Sequence, residues 1–203
     1  MILEIIIAIT IGYVMGSIPF ALVIGKVFYK TDIRNYGSKN LGGGNAGRVL
    51  GKKAGLAVMT FDILKVAFVM FVTSFFEYAD IVMVLAGLFA AIGHCFPMFA
   101  DFKGGKAVAT MYGFLFGMAL FGDYDIRIFI LPLIVFLFVL YLSKIISLSS
   151  ICSAVFITVY IGLTSDSMIM LMALIIFSVL MIWRHRKNIE RIMVGEENKI
   201  SWM

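Results

Sequence analysis

Three separated stretches of this chain carry residues whose types and spacing suit phosphate chemistry. The first reads DIRNYGSKNLGGGNAGRVLGKKAG, with Gly37, Gly42, Gly43, Gly44, Gly47, Gly51 and Gly55 set among Ser38, Asn40, Asn45, Arg48, Lys52 and Lys53. Glycine permits positive φ and close backbone approach. Bare successive N–H groups form anion-binding nests, and arginine adds a planar fork that matches phosphate oxygens. A flexible turn between helices would not need two Asn, a Ser and an Arg between its glycines. The stretch lacks GxxxxGK[ST], so it is not a Walker loop.

The second stretch, GHCFPMFADFKGGKAVAT (93–110), sets Lys103 and Lys106 around Gly104 and Gly105 just before a new helix. A glycine-rich approach to a helix N-terminus favours an anion. Snorkelling bases at a membrane surface would account for the lysines but not for the Gly-Gly. The third, RHRKNIERIMVGEENKIS (184–201), is a basic segment whose plainer reading is a tail beside a membrane. His185 is able to carry a proton near neutral pH, and the Asn188 amide is able to donate to phosphate. Asp62 and Lys65 share a helical face at i, i+3, and mutual pairing inside a bundle is their simplest account.

The elements that position these stretches are membrane helices. The chain is 62% hydrophobic and 14% charged over 203 residues, with a mean hydropathy of +1.04. Soluble domains are about 45–50% apolar. Apolar runs fall at about 2–26, 54–76, 81–98, 106–121, 127–143, 146–164 and 167–183. Each run is close to the ~20 residues of a crossing helix, and helix is the default in lipid. The expectation is an all-α membrane protein of about seven transmembrane helices, one domain over residues 1–203.

Seven crossings sort the charges. One face would hold residues 26–53, 99–106, 144 and 184–203, and with them 15 of the 17 Lys and Arg. The other would hold Arg127 with Glu4, Glu77, Asp80, Asp123, Asp125 and Asp166. Basic loops stay cytoplasmic, so the N-terminus is expected outside and the C-terminus in the cytoplasm. The N-terminal run has Glu4 and no early base, so it reads as a first span rather than a cleaved leader. The net charge of +5 then points to anionic headgroups or an anionic substrate, not to nucleic acid. Cys95 and Cys152 sit in apolar runs with no metal-ligand spacing, so no metal and no cofactor is expected.

Together these residues resemble the bacterial integral-membrane glycerol-3-phosphate acyltransferases that use acyl phosphate, the PlsY family. The resemblance rests on Ser38-x-Asn40-x-Gly42-x-x-Asn45-x-x-Arg48, on Gly93-His94-x-Phe96-Pro97 followed by Lys103-Gly104-Gly105-Lys106, and on His185, Asn188, Ile189, Arg191, Gly195 and Glu196. It extends to GSIPFALVIGK (16–26) and the Asp62/Lys65 pair. The chain departs from the family at Gly44, where threonine is usual, and at Lys39, where glycine is common.

The resemblance implies acyl transfer from acyl phosphate to the 1-hydroxyl of sn-glycerol 3-phosphate. The products would be 1-acyl-glycerol 3-phosphate (lysophosphatidic acid) and phosphate, in the first acylation of phospholipid synthesis. It implies a bacterial inner-membrane protein with its active site on the cytoplasmic face, membrane lipid as its surroundings and no obligate protein partner. Ser38, Arg48, Lys106, His185 and Asn188 are expected to act on the glycerol-phosphate headgroup. Asn40, Gly42, Asn45, His94, Lys103, Gly104, Gly105 and Arg191 are expected to bind substrate, with glycine amides and Lys103 on the donor phosphate.

The proton acceptor is His94, His185 or a phosphate oxygen of the substrate. The last is favoured because neither histidine has a carboxylate near it in sequence. Ser38 as a covalent nucleophile is the weaker alternative, because it has no His/Asp partner pattern. Met98, Phe96, Phe99 and Phe102 are candidates to line the acyl tail. The alternative from another class is a membrane transporter for a small phosphorylated anion, against which stands the gathering of polar groups at one interface.

Overall fold

The computed structural model describes residues 1–200; the ends of the expected domain and of the basic C-terminal segment, residues 201–203, lie outside the described residues. No strand occurs among the described residues. Ten α-helices follow in order: α1 (Ile2–Gly16), α2 (Phe20–Tyr29), α3 (Gly43–Val49), α4 (Lys52–Thr73), α5 (Ala79–Cys95), α6 (Val108–Phe121), α7 (Arg127–Ser143), α8 (Ile146–Thr164), α9 (Met168–Arg184) and α10 (Arg186–Met193).

Four stretches are long and apolar enough to cross a membrane: Ile2–Tyr29, Lys52–Thr73, Ala79–Ala100 and Ile146–Thr164. A fifth is counted if α9 and α10, bent by 59° at His185, form one span. α6 and α7 are apolar but shorter.

The first apolar run is broken rather than continuous. Pro19 has no N–H, and the chain leaves the helix at Ser17 before α2 begins at Phe20. The Ile18 carbonyl at this break accepts from Lys65 Nζ at 3.0 Å, so a buried lysine satisfies a backbone group that lipid would leave bare.

The body is held by close helix approach. α1 packs along α5, α4 against α6, and α8 against both α7 and α9. A Cβ at Gly12 or Gly16 would strike the backbone of Ala86 or Ala90, and one at Gly93 would strike the Tyr13 carbonyl. Small residues facing one another are how helices associate where lipid removes the hydrophobic drive between them. Large apolar side chains such as Leu163, Phe75 and Phe138 point outward, while Ser149, Ser150 and Ser153 of α8 are fully buried. This inversion suits a lipid surround. Tyr112 Oη and Ser153 Oγ both reach the Pro132 carbonyl, at 3.1 and 3.0 Å, and so tie α6, α7 and α8 together.

Candidate active site

The first stretch folds into a tight turn laid over α3. Arg34 donates from Nε and Nη2 to Asp32 at 3.0 and 2.7 Å, and its Nη1 is 3.1 Å from Asp101 Oδ2, which joins the first stretch to the second. The hydrogen bond from Arg34 holds the Asp32 carboxyl down at about 2. Asn45, expected to bind substrate, is buried and used within the fold. Its Oδ1 accepts from the Ser38 amide at 2.9 Å, and its Nδ2 donates to the Ile33 and Tyr36 carbonyls. Asn45 therefore fixes where Ser38 stands. Arg48 Nη2 donates to Ser38 Oγ at 3.4 Å.

The glycines of this stretch also serve packing more than anion binding. Only Gly37 and Gly51 have positive φ. Gly42 is the N-cap residue of α3, whereas Gly43 lets α3 approach α4 at Met59, and Gly55 of α4 leaves room for the α3 backbone at Gly47. At Gly44 a Cβ would meet nothing within 4 Å, so the missing threonine leaves open space.

In the second stretch, the expectation of bare Gly104 and Gly105 amides facing an anion is corrected at Gly105. Its N–H donates to the His94 carbonyl at 2.9 Å, and a Cβ there would run into the His94 ring. Arg184 grips the same turn from the other side, donating to the Gly105 and Gly104 carbonyls at 2.9 Å each. Its guanidinium also lies over the Phe96 ring at 5.4 Å. His94, expected at the substrate, is 6% exposed and belongs to a buried cluster. Its Nδ1 lies 3.5 Å from Asp62 Oδ1 and 3.2 Å from Lys65 Nζ, and Lys65 is 2.7 Å from the same Asp62 oxygen. Lys65 thus orients His94 by donating to Nδ1, and the carboxylate that holds Lys65, Asp62 of α4, stands 3.5 Å from the ring, 32 positions away where sequence neighbourhood does not reveal it.

The third stretch begins at the bend after α9. His185 is 3% exposed with Nδ1 2.9 Å from the Met181 carbonyl, so the Nδ1 proton is held there. Lys106 Nζ donates to Asn188 Oδ1, and Asn188 Nδ2 donates to Glu197 Oε1. Glu197 also accepts from Ser147 at 2.8 Å and from Arg191 at 2.7 Å. Burial pushes the Lys106 ammonium down to about 8; nearby Arg191, Arg48 and Arg184 add to this, and Glu197 opposes it. Burial would raise the Glu197 carboxyl, but hydrogen bonds from Asn188, Ser147 and Arg191 outweigh it and hold it below the usual range.

The three stretches close around a cavity of about 330 Å³. Ser38, Lys39 and Asn40 line it from the first; Phe102, Lys103, Gly104 and Lys106 from the second; Arg184, Lys187, Asn188 and Arg191 from the third. Six of these residues are basic and none is acidic. Of the thirteen residues expected at the site, Ser38, Asn40, Lys103, Gly104, Lys106, Asn188 and Arg191 line this cavity. Gly42, Asn45, Arg48, His94, Gly105 and His185 do not; they stand behind or beside it. Sequence reasoning missed Lys39, Arg184 and Lys187 as wall residues, and Glu197 as the acid behind Asn188. The third stretch carries three acids, Glu190, Glu196 and Glu197, and nothing in the sequence singles out Glu197 among them.

Strain concentrates here. Lys39, Asp101, Phe102 and Ala107 all have φ between +53 and +61 and all lie in the first two stretches; the other left-handed non-glycine residues, Lys30 and Lys144, end helices. Non-glycine residues in this region cost of order 1–3 kcal/mol each and cluster at working sites. A second cavity, of about 320 Å³ and wholly apolar, lies along α9 between Ile175 and Trp183. The Trp183 ring packs tilted against Phe96 with centroids 5.8 Å apart, and the next residue, Arg184, lines the basic cavity. Of the candidate tail-lining residues, Phe102 faces the basic cavity, while Met98 and Phe99 are exposed.

A cavity walled by bases, with an apolar groove one residue away, has the form of a site for an amphiphile with an anionic head. Comparison with known proteins agrees. The model of the family described as glycerol-3-phosphate acyltransferase matches residues 6–195. The glycerol-3-phosphate acyltransferase of Listeria monocytogenes serotype 4a is 46% identical over 195 residues, covering 95% of each chain. That of Bacillus subtilis is 43% identical, covering 96% of this chain and 97% of its own. Among solved structures, the glycerol 3-phosphate form of PlsY (YgiH), an integral membrane glycerol 3-phosphate acyltransferase, aligns with a TM-score of 0.89 at 31% identity, covering 97% of this chain and 96% of that one. Its lysophosphatidic acid form aligns at 0.86 and 29% identity. With that match running through all three stretches that build the basic cavity, the chain belongs to the glycerol-3-phosphate acyltransferase family.

Proposed function

We propose that this protein transfers a fatty acyl group from acyl phosphate to the 1-hydroxyl of sn-glycerol 3-phosphate, as the first acylation of phospholipid synthesis. The observation that carries the reading is a wall of six bases without an acid, contributed by three distant stretches, in a chain of this family. Both reactants bring a phosphate head, and both heads are served by the same chemistry. Lys106, Lys103, Arg184 and Arg191 offset their charge, with Arg48 beside Ser38. Asn188, held by Glu197, keeps Lys106 in place. The acyl tail runs into the apolar groove on α9.

Acyl phosphate is a mixed anhydride, so its carbonyl is already activated. The hydroxyl oxygen attacks the carbonyl carbon, the bond from that carbon to the phosphate oxygen breaks, and phosphate leaves with the bonding pair. The hydroxyl proton passes to a phosphate oxygen of the substrates. His94 is shut away behind Gly105, and His185 is buried with Nδ1 on Met181, so neither stands in the cavity wall. This reason replaces the missing-carboxylate argument, which Asp62 removes for His94. The protein's contribution is orientation and fixed positive charge where negative charge develops.

In the membrane we place seven crossings, the four long spans plus α6, α7 and α9, in one domain over residues 1–203. The N-terminus lies outside, the C-terminus is in the cytoplasm, and the basic cavity faces the cytoplasm of a bacterial inner membrane. Charge asymmetry supports this arrangement.

The reaction is tested with purified protein in detergent. Glycerol 3-phosphate is offered with palmitoyl phosphate, palmitoyl-CoA or palmitoyl carrier protein, and lysophosphatidic acid and phosphate are followed. Product from palmitoyl phosphate alone is expected. Product from either thioester at an equal rate, or flux of phosphate esters into proteoliposomes without product, contradicts the proposal.

A further inference from the structure

The buried cluster of Asp62, Lys65 and His94 has no part in the chemistry above. Its members are 1%, 4% and 6% exposed, deep between α4 and α5. A buried ion pair adds little stability over a well-packed apolar pair, so stability alone is a poor reason for its presence. Its contacts lead to the cavity. Lys65 Nζ, itself 2.7 Å from Asp62 Oδ1, donates to His94 Nδ1 at 3.2 Å, which fixes the imidazole ring. The ring's far side faces Gly105 so closely that a methyl group there would overlap Nε2, Cε1 and Cδ2. The His94 carbonyl takes the Gly105 N–H, and Arg184 binds the Gly104 and Gly105 carbonyls from the cavity side. The next residue is Lys106.

We infer that His94 is a positioning residue: held by Asp62 and Lys65, its ring and carbonyl set the Gly104–Lys106 turn, and through it the place of Lys106 and Arg184 in the cavity. The inference rests on the reading of that cavity as a phosphate-head site. Displacements near an ångström at such a site cost up to about a hundredfold.

The test is equilibrium binding of labelled glycerol 3-phosphate to the full chain in detergent, per folded molecule as judged by size-exclusion chromatography, with inorganic phosphate as a second probe. His94→Ala weakens binding about tenfold. Gly105→Ala, whose methyl meets the ring, weakens it about a hundredfold. Combining the two makes room for the methyl, so the double variant binds at least about tenfold better than Gly105→Ala alone. A double variant that binds as weakly as Gly105→Ala, or more weakly, overturns the inference.

Asp62→Asn, nearly isosteric, guards against a Gly105→Ala protein that does not fold. Its folded molecules are expected to bind about tenfold more weakly. If it lowers only the folded yield and its folded molecules bind like wild type, the cluster is merely structural and the inference fails. Binding needs no acyl donor. Failure of acyl transfer in the wild-type protein would therefore sink the proposed reaction and leave this inference to be judged separately.

Discussion

The helical body and the basic end are built on opposite economies. In the body, glycines at positions 12, 16 and 93 have ordinary helical backbone and are needed because a neighbouring helix backbone leaves no space. At the basic end, Lys39, Phe102 and Ala107 have side chains where glycine would be unstrained. The body spends small residues to gain contact and leaves its large apolar side chains to the surround. The end keeps strain, desolvated cations and repulsion among bases. Stability is concentrated in the first region and binding capacity in the second, which is the division expected when a site must hold charges that would repel one another unliganded.

Four substitutions or conditions would break or sharpen that contrast. The largest effect is expected at the basic end. Lys106→Ala should lower turnover by about 10²–10³-fold, the range for losing one fixed transition-state donor, while the thermal midpoint stays near that of the wild type. A matching fall in the midpoint would erase the distinction between the regions.

In the body the pattern reverses. Gly12→Ala pushes a methyl into the Ala86 carbonyl and should cost about 1–3 kcal/mol of stability. Thermal unfolding in detergent reads this, with turnover per folded molecule unchanged.

The third concerns pH. Burial first, then neighbouring arginines, brings Lys106 to about 8, and in the proposed reaction its ammonium is the form that binds phosphate. That form is present below this pKa and lost above it. kcat/KM for glycerol 3-phosphate should therefore fall by up to about tenfold per unit above about pH 8. Lys106→Arg, which keeps its charge, should move the fall upward. The smallest effect is at Lys39. Lys39→Gly relieves a left-handed backbone and should stabilise the protein by about 1 kcal/mol. It should also weaken glycerol 3-phosphate binding, because one base leaves the wall.

Much of this is legible in the sequence, and the limits are physical. Apolar runs revealed the helices because lipid demands self-satisfied backbone, but the break at Ile18–Pro19 required knowing that Lys65 would reach its carbonyl. Ser38, Lys103, Lys106, Asn188 and Arg191, which line the basic cavity, stand out in the sequence because polar types are conspicuous in a chain this apolar. Asn45, Gly105 and His94, expected at substrate, do not line that cavity, and the reason is common to all three: a polar or glycine residue reads the same in sequence whether it lines a cavity or holds the residue that does. Only three-dimensional partners, Ser38 N for Asn45 and Asp62 for His94, separate the two roles.

The central claim is that bases from three distant stretches act together on a phosphate head. The most direct measurement is equilibrium binding of labelled glycerol 3-phosphate to purified wild-type protein and to the Arg48→Ala/Lys106→Ala double variant, across a range of salt concentrations. The account predicts saturable, salt-sensitive binding by the wild type and its loss in a double variant that remains folded. Equal affinity in the two proteins would contradict it.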